Sequence, residues 1–101
     1  MAVSCMSARR ELTVALTGEL DHHGAKQVMQ ELDKRMDWEL PRRLSIDMGG
    51  VTFMDSSGIA VLLRAHRRMA QLQGSMTVSN VPPQALRVFQ AAGLHRVIDF
   101  V

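Results

Sequence analysis

The chain is constrained most by the spacing of its apolar residues, which switches repeatedly between a period of two and a helical period within 101 residues. Leu12, Val14 and Leu16 alternate with Glu11, Thr13, Ala15 and Thr17 as far as Gly18, the mark of a half-buried strand. Ser4 to Arg10 reads more weakly as a strand paired to it. From Ala25 the spacing becomes helical. Ala25, Val28, Met29, Leu32 and Met36 fall on one side, with Lys26, Gln30, Asp33, Lys34 and Asp37 on the other. Pro41 stops this helix at or before Leu40. Leu44, Ile46 and Met48 then alternate with Ser45 and Asp47, a second clear strand ending at Gly49-Gly50.

A short apolar segment, Val51 to Met54, leads into Asp55-Ser56-Ser57-Gly58. Ile59, Leu62, Leu63, His66, Met69 and Ala70 mark the buried stripe of a second helix, with Gly74 as its expected C-cap. Arg64, Arg67, Arg68 and Gln71 lie opposite that stripe. Met76 to Ser79 reads as a strand. Pro82-Pro83 opens a third helix with Leu86, Phe89 and Ala92 facing inward, Gly93 ends it, and Val97 to Val101 reads as a last strand. Strands that alternate with single helices need crossover connections. The order β-β-α-β-α-β-α-β therefore predicts one α/β domain, a mixed and largely parallel sheet flanked by helices.

Composition narrows the function. An apolar fraction of 47% and a charged fraction of 22% are globular averages. Lys plus Arg exceed Asp plus Glu by two, and one Trp and three Phe are the only aromatics. That is too weak a footprint for direct nucleic-acid binding. No apolar run approaches the roughly 20 residues that span a bilayer, and no secretory signal is expected at the start. Cys5 is the single cysteine, which fits a reducing, cytoplasmic setting. Nothing calls for a cofactor.

In open α/β sheets the functional loops gather beyond the carboxyl ends of strands. Two polar loops fit: Gly18-Glu19-Leu20-Asp21-His22-His23 and Asp55-Ser56-Ser57-Gly58. If their strands are parallel neighbours, both loops share one rim. Ser56 or Ser57 is placed to be an N-cap, a role for which a hydroxyl is worth about 1 kcal/mol. An exposed serine at the positive end of a helix also tolerates a phosphate in the free protein. In a packed interface the same group would have to be desolvated.

Thr17-Gly18-Glu19-Leu20-Asp21-His22-His23, Phe53-Met54-Asp55-Ser56-Ser57-Gly58-Ile59 and Phe89-Gln90-Ala91-Ala92-Gly93-Leu94 lie in an order and spacing that resemble the bacterial anti-sigma factor antagonists, small STAS-domain proteins, and within them the sporulation branch. The resemblance runs from about Glu11 to Val101. It implies that Ser57 accepts a phosphate from a partner anti-sigma factor that is itself a serine kinase. The unphosphorylated protein binds that partner and frees its sigma factor; phosphorylation ends the complex, and a separate serine phosphatase reverses it. Gly18, Glu19 and Asp21, with Asp55, Ser56, Ser57 and Gly58, match the family's contact segments. Val61, Arg64 and Arg68, with Arg67, are the expected docking face on the helix that Ser57 begins. Relatives usually continue into a further helix after the last strand, and Pro82 stands where they often have serine. The resemblance also leaves open a STAS scaffold or regulator in another, stress-response pathway, and it leaves the oligomeric state open.

Other chemistries fit the residues less well. A serine hydrolase could draw on His22, His23, Asp21 and Asp55, but the Gly-x-Ser-x-Gly elbow is absent. His22, His23, His66, His95 and Cys5 lack the spacing of a zinc motif. Asp47 and Asp55 do not make the acidic cluster of a phospho-aspartate receiver. Catalysis is therefore not expected.

Overall fold

A computed structural model describes residues 1–101. Its elements are β1 (Ala2–Ala8), β2 (Glu11–Leu20), α1 (His22–Glu39), β3 (Arg43–Met54), α2 (Ser56–Gln71), β4 (Ser75–Ser79), α3 (Pro83–Ala91), a 3-10 turn at Leu94–Arg96 and β5 (Asp99–Phe100). The five strands lie in sequence order, β1-β2-β3-β4-β5. β1 pairs antiparallel with β2, while β2, β3, β4 and β5 run parallel to one another. The α/β domain read from the periodicities is therefore present, in the expected order.

The alternation in the strands decides which face is covered. Leu12, Val14, Leu16 and Leu20 of β2, Leu44, Ile46 and Met48 of β3, and Met76 and Val78 of β4 point into one core of 23 buried residues. On the other face the register sets Thr13 beside Ser45 and Ser45 beside Thr77, and that side stays open. From the helices the core takes Ala25, Val28, Leu32 and Met36 of α1, Val61, Leu62, Ala65 and Met69 of α2, and Ala85 and Phe89 of α3. Phe89 stacks on Phe100 at 5.3 Å, which anchors the short last strand.

Several features differ from the reading of the sequence, among them the inward face of α3, where Ala85 and Phe89 are buried and Ala92 lies exposed past the helix end. Gly49-Gly50 does not end β3, which continues to Met54. The pair instead sits at the first of two register shifts against β2, where β3 gains a residue. Gly74 is not the left-handed residue after α2; Gln73 is, with φ +57. The buried stripe of α2 is rotated, because Gly58, Val61, Ala65 and Met69 face inward while Ala70 is exposed and His66 half-buried. Val97 and Ile98 belong to a turn before β5 rather than to a strand.

The β1–β2 hairpin closes at Ala8↔Glu11, with Arg9 and Arg10 at φ 52 and 63. Two consecutive left-handed residues are costly without Gly or Asn. Arg10 is retained by its guanidinium, which donates to Leu40 O at 3.0 Å, whereas Arg9 has no such tie. Arg9→Asn should therefore raise stability by several tenths of a kcal/mol, read as a higher denaturation midpoint at unchanged m-value.

Candidate functional site

The site is assembled where β2 and β3 end together. Leu20 is paired with Met54, so the next residue on each strand, Asp21 and Asp55, starts a helix beside its neighbour. Both aspartates are N-caps. Asp21 Oδ1 accepts from Gly24 N at 2.8 Å, and Asp55 Oδ1 accepts from Ser57 N at 2.8 Å. The capping role that the sequence offered to Ser56 or Ser57 thus belongs to Asp55, because the helix begins one residue earlier and the Asp55 carboxylate accepts the N–H of Ser57 itself. Ser56 and Ser57 occupy the first turn, exposed and half-exposed respectively. The Ser57 hydroxyl is left out of the cap.

Close approach fixes this geometry at two glycines. A Cβ on Gly58 would meet Met54 Cγ at 2.5 Å and Sδ at 2.6 Å. A Cβ on Gly24 would meet Glu19 O at 2.2 Å. Neither helix could begin so near the sheet with a side chain there. The sequence reading does not single out Gly24, which lies just before Ala25, where the apolar helical spacing begins.

Met54 is held from a third element. Its N–H donates to Gln84 Oε1 at 2.9 Å, and its carbonyl accepts from Gln84 Nε2 at 2.8 Å. The α3 side chain thereby completes the edge of β3 just before Asp55. No pattern in the sequence points to this residue, since an amide on a helix reads as surface.

The expected site residues separate into rim, floor and brace. Glu19, Asp21, Asp55, Ser56 and Ser57 are on the rim, with Phe53 44% exposed beside them. Gly18 and Glu19 lie inside β2 rather than in a loop. Gly58 and Val61 are floor: Val61 is 1% exposed and packs in the core, so it is not part of a docking face. Arg64 and Arg68 are the brace. Arg64 donates to both carboxylate oxygens of Asp33, at 3.2 and 2.6 Å, and Arg68 pairs with Asp37, tying α2 to α1. Arg67 is exposed without an ion pair. Between α1 and α2 runs an open groove of about 450 Å³ whose walls include His22, Lys26, Met29, Ser57 and Arg64.

His22 and His23 stand edge to face at the start of α1, 6.1 Å between ring centres. His66 lies on α2 and His95 in the 3-10 turn, and Cys5 is on β1. No three His, Cys, Asp or Glu side chains converge on a metal-sized site. No helix is long and apolar enough to cross a membrane.

The comparisons with known proteins agree with this architecture. Residues 4–99 match the family described as Mlab, STAS domain. The anti-sigma F factor antagonist of Paenibacillus polymyxa is 32% identical over 90 residues, covering 89% of this chain and 77% of that protein. The solved structure of the anti-sigma factor antagonist SpoIIAA in its unphosphorylated form superposes with a TM-score of 0.85 at 27% identity, covering 99% of this chain and 88% of that one. The Bacillus cell fate determinant SpoIIAA in the phosphorylated form gives 0.77 at 27% identity, over 99% and 91%. The chain belongs to the STAS domain family.

Two outcomes test the geometry. Gln84→Ala leaves the Met54 N–H and carbonyl without partners and should cost about 1–3 kcal/mol, with faster amide exchange through Met54 to Ser57. The Gly24 N–H holds the Asp21 carboxyl below the usual carboxylate range, and the Gly49 N–H and Asn80 amide do the same for Asp47. Groups depressed in the folded state stabilise it above their unfolded values, near 4, and lose that contribution as pH falls through the folded ones. Asp21→Asn should therefore flatten, without abolishing, the loss of stability in acid unfolding curves below about pH 4.

Proposed function

We propose that this chain is a non-catalytic anti-sigma factor antagonist switched by phosphorylation of Ser57. In the unphosphorylated form, the rim built by Glu19, Asp21, Asp55, Ser56 and Ser57 docks on an anti-sigma factor that is a serine kinase, and its sigma factor is released. Phosphorylation of Ser57 by that kinase ends the complex, and a serine phosphatase restores the docking form. ATP belongs to the kinase. The setting is the cytoplasm, where such partners act on transcription.

The observation that carries this reading is the division of labour at the start of α2: Asp55 caps the helix, and the Ser57 hydroxyl stands half-exposed beside the α1–α2 groove. A modification there leaves the cap in place and alters the surface alone. A phosphate brings a charge of about −1.5 to −2, and in a closed interface an uncompensated charge costs several kcal/mol. Since 1.4 kcal/mol is about tenfold in affinity, one phosphate suffices to abolish a tight complex. The relatives support the reading, being named as antagonists of an anti-sigma factor, and SpoIIAA has been solved both with and without phosphate.

The contact set follows from burial. Glu19, Ser56 and Phe53 are exposed, Asp21, Asp55 and Ser57 half-exposed, and all six are within reach of a partner. Gly18, Gly58 and Val61 shape the rim from beneath. Arg64 and Arg68 hold α1 and α2 at a fixed spacing, so their effect on docking is through that spacing.

Intact-mass and peptide mass spectrometry after mixing the protein with its anti-sigma kinase and Mg-ATP tests the switch. Wild type should gain a single phosphoryl group on Ser57 and leave the complex, while Ser57→Ala should gain none and stay bound. A phosphate on Ser56, or none on wild type with an active kinase, would sink the assignment.

A further inference from the structure

A phosphate attached to Ser57 needs donors, and the nearest backbone donor is already engaged. The Ser57 N–H donates to Asp55 Oδ1, and that carboxylate repels a second anion brought to the same helix end. The groove on the other side offers the opposite charge. His22, Lys26 and Arg64 line it together with Ser57, against the single carboxylate of Asp33. Asp33 is engaged in both oxygens by Arg64, which leaves Lys26 as the wall's unpaired cation, one helical turn from His22. His22 and Lys26 are exposed on the groove wall, so a charge pair there is screened by salt and is strongest at low ionic strength.

We infer that a phosphate on Ser57 is received inside this groove by Lys26 and His22 of the same chain. The inference rests on Ser57 being the modified residue, and it deepens the switch. The phosphate occupies the Ser57 end of the α1–α2 groove and more than offsets the Lys26 charge, so the modified protein no longer presents a cationic wall beside the rim. Release of the partner then comes from an internal ligand as well as from repulsion. Arg64 keeps Asp33 and with it the spacing of the helices.

The test uses protein with phosphoserine installed at position 57 during translation, so no kinase is needed. The second ionisation of the phosphate, near 6 in a free peptide, is followed by 31P NMR at low salt. It should lie lower in the folded protein than in a peptide spanning Ser57. Lys26→Gln should move it back up by about half a unit or more, and His22→Gln should shift it less in the same direction. Lys34→Gln, an exposed lysine of α1 outside the groove, should leave it unchanged. Near-UV spectra check that each variant is folded. A phosphate titration indifferent to both Lys26→Gln and His22→Gln would overturn the capture. Failure of a kinase to label Ser57 would strike at the parent reading instead, which the mass measurement decides separately.

Discussion

The parallel pairing of β2 with β3, carried to the last residue of each strand, is the constraint on which the rest of the molecule depends. Leu20 and Met54 end side by side, so the chain leaves the sheet twice at the same level. Both exits are aspartates that cap the helices they begin. The β3 strand reaches this level only because it is longer than β2, with two inserted residues absorbed at register shifts opposite Ala15–Thr17 and Gly18–Glu19. Without those insertions Asp55 would fall out of step with Asp21, and the two helix starts would not form one rim.

Energetic weight and functional position are separated in this fold. The stabilising burial lies in one core on one face of the sheet. The rim and the groove are held by polar contacts that are individually small. Exposed pairs such as Arg64–Asp33 and Arg68–Asp37 contribute about 0–1 kcal/mol each. Their value is geometric: they cross from α2 to α1 at two successive turns and set the width of the groove. Gln84 plays the corresponding part for the end of β3, reaching from α3 to close the hydrogen-bonding edge that Met54 would otherwise leave open.

The element order was legible because each helix and strand carries its own apolar period. The two exit loops were legible because polar residues interrupt that period at strand ends. Ser57 was placed correctly at the start of α2, but its cap was not, since serine and aspartate are both good caps and only the backbone geometry chooses. The sequence shows β3 only as far as Gly49-Gly50, because strict alternation fails there although the strand continues to Met54. Its buried residues are Leu44, Ile46, Met48, Val51 and Met54, and the widening of the gaps from two to three is the trace of the two shifts. The inward side of α2 differs from its apolar spacing for a related reason. Gly58 has no apolar side chain to announce it, yet its contact with Met54 and Leu20 sets the rotation of the helix and buries Val61 and Ala65 in place of His66 and Ala70. Gln84 and Gly24 act through backbone atoms of other segments, which no pattern within their own segment records.

The capping of α2 by Asp55 has a thermodynamic consequence. Had the serine hydroxyl been the cap, any group attached to it would have removed a helix-stabilising hydrogen bond, and the covalent state of the serine would have been linked to unfolding. With the carboxylate of Asp55 in that place, the cap hydrogen bond is separate from the serine hydroxyl, and a group on that hydroxyl would be linked to folding only through contacts outside the cap. Adding a group to that hydroxyl, or removing it, would leave the first hydrogen bond of α2 intact.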